Sequence, residues 1–287
     1  MKAGIASIKK ELTGIYSKEE IESLTFLIFE KLMGYTRTRF LLAKDEILIP
    51  EKLDEINQIV ARLKNHEPIQ YILGQTEFYG LPFYTVPEVL IPRPETEELV
   101  QWIIQENKFA KPIILDIGTG TGCIPVSLKK NIADSIVFAC DISPVCIETA
   151  RRNAELNNCD ISVFEYDILA QTPEMNIPEP DLIVSNPPYV RESEKLQMEK
   201  NVLAFEPELA LFVPDENPLI YYQRIAEFAL NHLKDKGMLY FEINETFGQE
   251  CSEMLRKMNF TSIVLKKDIH GKDRMIRSIL KRSTVAG

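Results

Sequence analysis

From Pro112 onward, short apolar runs alternate with helix patterns, and that alternation confines the chain to a mostly parallel sheet with helices on both faces. Ile113-Ile114-Leu115 and Ile136 to Cys140 read as the first two strands, and Ser162 to Tyr166, Leu182 to Ser185 and Met238 to Ile243 as three more. Ser143 is placed to cap the helix after the second strand, with Pro144 at its first position. Asn217-Pro218 is expected to start the long helix before the fifth strand. The end of the pattern differs. Ile263 to Leu265 and Met275 to Leu280 are separated by a short polar link containing Gly271, which predicts a closing antiparallel hairpin.

The residues that end these strands carry the chemistry. Asp116-Ile117-Gly118-Thr119-Gly120-Thr121-Gly122 follows the first strand, at the edge where open α/β sheets bind ligands. A dinucleotide fingerprint started at Gly118 would need glycine at Cys123, and one started at Gly120 would need glycine or alanine at Pro125, so both fail. A carboxylate at Asp116 would repel a pyrophosphate and favour a cationic ligand, and S-adenosylmethionine, with a sulfonium and an ammonium, fits. Asp141 ends the second strand about 20 residues further on, the spacing at which an acid meets ribose hydroxyls. Asp167 follows the third strand, where it can accept from an adenine amino group with Ile168 against the ring. Taken singly, each reads equally well as a solvated carboxylate; together, Asp116, Asp141, Asp167 and Asn186 converge on one sheet edge.

Ser185-Asn186-Pro187-Pro188-Tyr189 then opens a rigid loop. Asn186 is biased away from helix by the proline after it, and two prolines fix their own φ angles and supply no N–H. What remains is a set of acceptors, the Asn186 side-chain oxygen and the carbonyls of Asn186 and Pro187, suited to a planar –NH2. Tyr189 is expected to stand beside them as a flat wall, a part phenylalanine would largely preserve.

Composition excludes several classes. The 287 residues are 45% hydrophobic and 26% charged, globular values with length for one large domain or two ordinary ones. Basic and acidic residues balance at 11 each through Gln75, so the whole net charge of −10 falls after it, a poor footprint for gripping nucleic acid. Cys123, Cys140, Cys146, Cys159 and Cys251 are widely spaced without a C-x-x-C pair, and His66, His232 and His270 are isolated. Neither a disulfide framework nor a metal site is expected. The N-terminus runs straight into a charged amphipathic helix and no apolar run reaches spanning length, so a cytoplasmic protein is expected, with no membrane association.

Residues 1–74 read as a small helical domain. Ser17-Lys18-Glu19-Glu20 forms a capping-box pattern before Ile21, Leu24, Leu27, Ile28 and Leu32, and Pro50 opens a helix with Leu53, Ile56, Ile59, Val60 and Leu63 on one face. Tyr71 to Gly74 and Phe78 to Tyr84 carry β-hairpin signals, so residues 75–92 are assigned as a hairpin linker and 93–287 as the catalytic domain.

Asp-x-Gly-x-Gly-x-Gly, the acidic strand ends and Asn-Pro-Pro-Tyr together resemble class I S-adenosylmethionine-dependent methyltransferases acting on planar nitrogens, a set that includes adenine-N6, guanine-N2 and glutamine-amide enzymes. Gln70 to Gly74, Ile91-Pro92-Arg93-Pro94-Glu95-Thr96-Glu97, Phe205 to Leu211, Phe241-Glu242-Ile243 and Gly271-Lys272-Asp273-Arg274 narrow this. They resemble the peptide chain release factor N(5)-glutamine methyltransferases, the PrmC/HemK family, over nearly the whole chain. The related ribosomal-protein glutamine enzymes usually depart from Arg-Pro-Glu-Thr-Glu, which this chain keeps.

The resemblance implies a Rossmann-like α/β catalytic domain plus an N-terminal helical substrate-docking domain, S-adenosylmethionine as cofactor, release factors as partners and a monomer. It implies cofactor contacts from Asp116, Gly118, Thr119, Gly120, Thr121, Gly122, Asp141, Asp167, Ile168 and Asn186. The substrate glutamine falls to Asn186, Pro187, Pro188 and Tyr189, with Asn186, Pro187 and Tyr189 as the catalytic set. Ile168 stands where the family often has an aromatic residue, so aliphatic packing on the adenine is expected, and Asn244 stands where glycine is common. Arg93 is assigned a structural or cofactor-end contact, and Glu206 and Glu208 either face the partner or are solvated. The alternatives are a nucleic-acid amino methyltransferase, a ribosomal-protein glutamine methyltransferase, and a cofactor-binding scaffold without turnover.

Overall fold

Caps and prolines set where the N-terminal helices begin. The computed structural model describes residues 1–43, 45–170 and 175–282. Helices α1 (Lys2–Leu12), α2 (Lys18–Met33), α3 (Arg37–Leu42), α4 (Pro50–Leu63) and α5 (Ile69–Leu73) come first. Ser17 and Glu20 form the expected reciprocal capping box at α2, and Pro50 occupies the first turn of α4. Ile8, Leu12, Ile28, Phe29, Ile56 and Leu63 meet in the core of this bundle. The stretch Tyr71 to Leu73, read above as part of a hairpin, is helical: Pro68 starts a single turn that Gly74 closes at φ 68°. One compact unit comprises residues 1–75 with 199–205, and a second runs over 76–198 and from Glu206 on.

The larger unit continues with β1 (Gln75–Phe78), β2 (Leu81–Tyr84), α6 (Pro94–Glu106), β3 (Ile113–Ile117), α7 (Cys123–Asn131), β4 (Ile136–Asp141), α8 (Pro144–Leu156), β5 (Ser162–Glu165) and β6 (Leu182–Ser185). The short β7 (Val190–Arg191) and β8 (Phe212–Val213) follow, with α9 (Lys200–Phe205) of the smaller unit between them in sequence, then α10 (Ile220–His232), β9 (Met238–Glu242), α11 (Gly248–Lys257), β10 (Phe260–Lys267) and β11 (Asp273–Leu280). Ser143 caps α8 as expected, its hydroxyl accepting from the Cys146 N–H. Helix α10 begins at Ile220, because Asn217 to Leu219 form a turn that comes before it; the expected start at Pro218 is two residues early.

Seven strands form one sheet in the order β10-β11-β9-β6-β3-β4-β5, parallel from β9 to β5 and antiparallel at the β9-β11 and β11-β10 pairs. Alternate residues of each strand serve opposite faces, as pleating requires. Ile114, Leu182, Val184 and Tyr240 pack with Leu99, Val100 and Ile103 of α6 and Val126 and Leu128 of α7. Leu115, Ile183, Leu239 and Phe241 pack with Tyr222, Ile225 and Ala226 of α10 and Leu255 of α11.

The chain runs outward from β3 through β4 to β5, then returns to β6 on the other side of β3. Such a reversal separates the loops after β3 and β6 and opens a crevice at the carboxyl edge. Among the described residues no helix is long and apolar enough to cross a membrane, and no His, Cys, Asp and Glu cluster suits a metal ion.

Candidate active site

A cavity of about 400 Å³ lies at that carboxyl edge. The loop after β3 forms one wall. Gly118 and Gly120 have φ of 75° and 55°, and a Cβ added to either would meet no atom within 4 Å, so both present bare backbone. The loop is tied to β4: the Gly118 and Thr119 N–H groups donate to the Cys140 carbonyl at 2.9 and 3.0 Å, and the Gly120 N–H donates to Asp141 Oδ2 at 2.9 Å. Asp141 Oδ1 accepts from the Ser143 N–H at 2.9 Å. Each oxygen keeps a further lone pair, and Asp141 lines the cavity together with Asp167 and Ile168. Burial raises the Asp141 pKa against these backbone donors.

Three sequence-predicted residues do not reach the cavity wall. Asp116 is fully buried beneath the loop, and among the described residues neither of its oxygens has a well-formed hydrogen-bond partner. Burial pushes its pKa up to about 7, with the nearby Thr119 hydroxyl, short of a well-formed bond, offsetting this in part and the Asp141 charge adding to it. A group ionised only in part near neutrality is a weaker filter against pyrophosphate than the sequence suggests. Gly122 caps α7 at φ 77°, and its missing Cβ would lie 2.9 Å from that of Ala150, so it serves helix packing. Tyr189 turns away and donates its hydroxyl to Glu242 Oε1 at 3.0 Å. It is therefore a bonded strut, and phenylalanine is not its equivalent.

Asn186, Pro187 and Pro188 do line the cavity. The Asn186 Nδ2 donates to Thr96 Oγ1 at 3.1 Å, and the Thr96 hydroxyl donates to Glu242 Oε2 at 2.6 Å. Glu242 is 1% exposed and ends β9 on the face that carries Tyr240, which is why it meets Thr96 in the first turn of α6. Thr96 and Glu242 are the residues that strand-end reasoning missed. The signal was present: a carboxylate closing an apolar strand, the same pattern that singled out Asp116 and Asp141.

Other placements follow from pairing. Arg93 lines the cavity and is held by Glu206 at 2.5 Å, while the Ile91 N–H donates to the other Glu206 oxygen at 3.3 Å. Glu206 is thus buried and committed, neither solvated nor partner-facing, whereas Glu208 is exposed and pairs with Lys195. Asn244 donates to the Tyr189 carbonyl at 3.1 Å and accepts from the Thr246 N–H at 3.0 Å, bracing the loop after β6 from below.

All five cysteines are free and buried. Burial pushes the Cys123 and Cys146 thiols at the cavity up to about 12, which leaves no thiolate nucleophile there at neutral pH.

The residues present suit S-adenosylmethionine. The cavity offers bare glycine backbone, carboxylate lone pairs at Asp141 and Asp167 for hydroxyl and amino donors, and an apolar face at Ile168. No basic side chain projects from the loop itself to meet a phosphate.

Residues 5–74 match the PrmC N-terminal domain and residues 96–205 the Methyltransferase small domain. The chain is 49% identical to a release factor glutamine methyltransferase of Flavobacterium psychrophilum, over 93% of this chain and 94% of that protein. It is 46% identical to one of Bacteroides thetaiotaomicron, over 94% and 97% respectively. In fold it resembles a methyltransferase from Pyrococcus furiosus, at 16% identity and TM-score 0.53 over 82% of this chain and all of that one. It also resembles the delta-N METTL16 methyltransferase domain, at 19% identity and TM-score 0.52 over 72% and 91%.

Proposed function

This chain belongs to the release factor glutamine methyltransferase family, and we propose that it methylates the side-chain amide nitrogen of the glutamine in the Gly-Gly-Gln motif of peptide chain release factors, modulating translation termination. The observation that carries this reading is that Asn186, Pro187 and Pro188 line the cavity, on a loop with no N–H from either proline. S-adenosylmethionine, when bound, supplies an electrophilic methyl group.

An amide nitrogen is a poor nucleophile because its lone pair is delocalised into its carbonyl. The Asn186 Oδ1 and the Pro187 carbonyl accept its two N–H bonds, turning the nitrogen lone pair into the cavity and stabilising the positive charge that builds on it. Orientation of this kind supplies about 7–11 kcal/mol in the best intramolecular cases, and acceptors fixed in advance add to it. A strong base is unnecessary, since the proton becomes acidic only as the new bond forms. Asn186 accepts without adding a charge to a site that already holds Asp141 and Asp167.

In this reading Gly118 to Thr121 cradle the cofactor, Asp141 takes the ribose, and Asp167 and Ile168 take the adenine. Residues 1–74 dock the release factor, the hairpin of 75–92 connects, and 93–287 catalyse, in the cytoplasm.

The test is methyl transfer to a peptide containing Gly-Gly-Gln, with Gly-Gly-Glu as control. Asn186→Ala is expected to lower kcat by about 100-fold or more with melting temperature preserved. Turnover near wild type by the folded variant would remove Asn186 from this role.

A further inference from the structure

Glu242 presents two carboxylate oxygens to two donors, Thr96 on Oε2 and Tyr189 on Oε1. An ionised carboxylate only accepts, so the single Thr96 hydroxyl proton is committed to it. Thr96 Oγ1 then has only lone pairs left for Asn186. The amide must turn its Nδ2 toward Thr96, as it does at 3.1 Å, and its Oδ1 has no hydrogen bond within the described protein. Without that constraint an asparagine amide has two orientations of similar shape and opposite polarity. Only one of them offers an acceptor.

We propose that Thr96 and Glu242 are a positioning pair that locks the Asn186 amide with Oδ1 available to the substrate. This rests on the reading of Oδ1 as the acceptor for the glutamine N–H. Neither residue touches the reacting atoms; both act through Asn186. The chain of bonds crosses three elements, from the end of β9 through the first turn of α6 to the loop after β6, so the sheet edge itself fixes the polarity of the site.

The lock depends on the charge of Glu242. A protonated Glu242 donates from Oε2 to Thr96, the Thr96 proton turns to Asn186, and the amide must flip to receive it. The flipped amide shows an N–H pair to the cavity and repels the substrate –NH2. The charged and titratable groups facing Glu242 are Arg274 from β11, Glu95 from α6, Cys123 from α7, Tyr222 from α10 and Tyr189 from the loop after β6. Burial raises the Glu242 pKa, the bonds from Thr96 and Tyr189 and the Arg274 charge oppose this, and Glu95 adds to it.

The experiment compares wild type with Thr96→Val, Thr96→Ser and Glu242→Gln, using the full chain with S-adenosylmethionine and the Gly-Gly-Gln peptide. Thr96→Val is expected to lower kcat about 30-fold while the peptide KM and the cofactor Kd stay within about 3-fold, and Thr96→Ser to recover kcat to within about 3-fold of wild type. Wild-type kcat falls on the acid side as Glu242 protonates, and Glu242→Gln abolishes that limb. The second readout needs no turnover: the Asn186 side-chain NH2 resonances, assigned by their loss in Asn186→Ala, are protected from exchange in wild type and Thr96→Ser but not in Thr96→Val. Equal kcat for Val and Ser at position 96, or resonances unchanged by Thr96→Val, would overturn the pair. Protected resonances in a protein that leaves the peptide unmethylated would uphold the pair and refute the glutamine reading instead.

Discussion

Tyr189 and Asp116 illustrate how burial redirects residues whose types suggest direct contact with ligand. Removing the Tyr189 hydroxyl leaves Glu242 Oε1, in a residue 1% exposed, without its donor. Tyr189→Phe is therefore expected to cost about 1–3 kcal/mol of stability and to impair turnover. Unchanged denaturation and kinetics would return Tyr189 to the role of a passive wall. For Asp116 the sign is set by a folded-state pKa of about 7, above the value of an exposed aspartate. A raised carboxylate pKa stabilises the fold fully below the unfolded pKa and loses that contribution as pH climbs through 7. Denaturant titrations of the apoprotein should show wild type losing on the order of 4 kcal/mol at most between pH 4 and 8 from this group, and Asp116→Asn a flatter profile. Parallel profiles would mean that the carboxylate is ionised throughout.

Among elements, the sheet was largely legible in advance because buried parallel strands leave continuous apolar runs such as Leu182 to Val184. The strand ends were legible for the same reason, since a polar residue closing an apolar run has few reasons to be there. Glu242 obeys that rule and escaped it only because Ile243 continues the apolar pattern past it, extending the strand by one residue in the sequence reading. Tertiary pairing was not legible. Glu206 lies more than a hundred residues from Arg93, and no local pattern distinguishes it from the exposed Glu208.

Helix α8 offers a further case: Asn153, fully buried, accepts from the Tyr84 N–H at 2.6 Å and donates to the Tyr84 carbonyl at 3.1 Å and the Thr121 carbonyl at 2.9 Å. One side chain thus joins the hairpin strand β2 to the glycine loop. Asn153→Ala should cost about 1–3 kcal/mol for each buried group left unpaired and weaken cofactor binding, both measurable by calorimetry. Loss of stability with cofactor affinity intact would separate the hairpin from the loop.

On the scale of the whole molecule, none of the described residues of the smaller helical unit lines the cavity, and this unit exposes Leu42 at 77% and Ile47 at 94%. Large apolar side chains that remain in water suit a surface that meets a protein partner. Leu42→Glu is expected to raise KM several-fold for an intact release factor and to leave a short Gly-Gly-Gln peptide unaffected; equal effects on both would place Leu42 outside docking. The acidic balance of the larger unit points the same way, toward a protein substrate recognised by shape and amide chemistry and away from phosphate backbones.

The most direct test is methyl transfer from labelled S-adenosylmethionine to purified unmethylated release factor, with ribosomal protein and DNA offered in parallel, followed by peptide mass spectrometry. The expected result is one methyl group on the glutamine side chain of the Gly-Gly-Gln tip, with ribosomal protein and DNA unlabelled. Label on DNA alone, or on a release factor residue other than that glutamine, would contradict the proposed substrate.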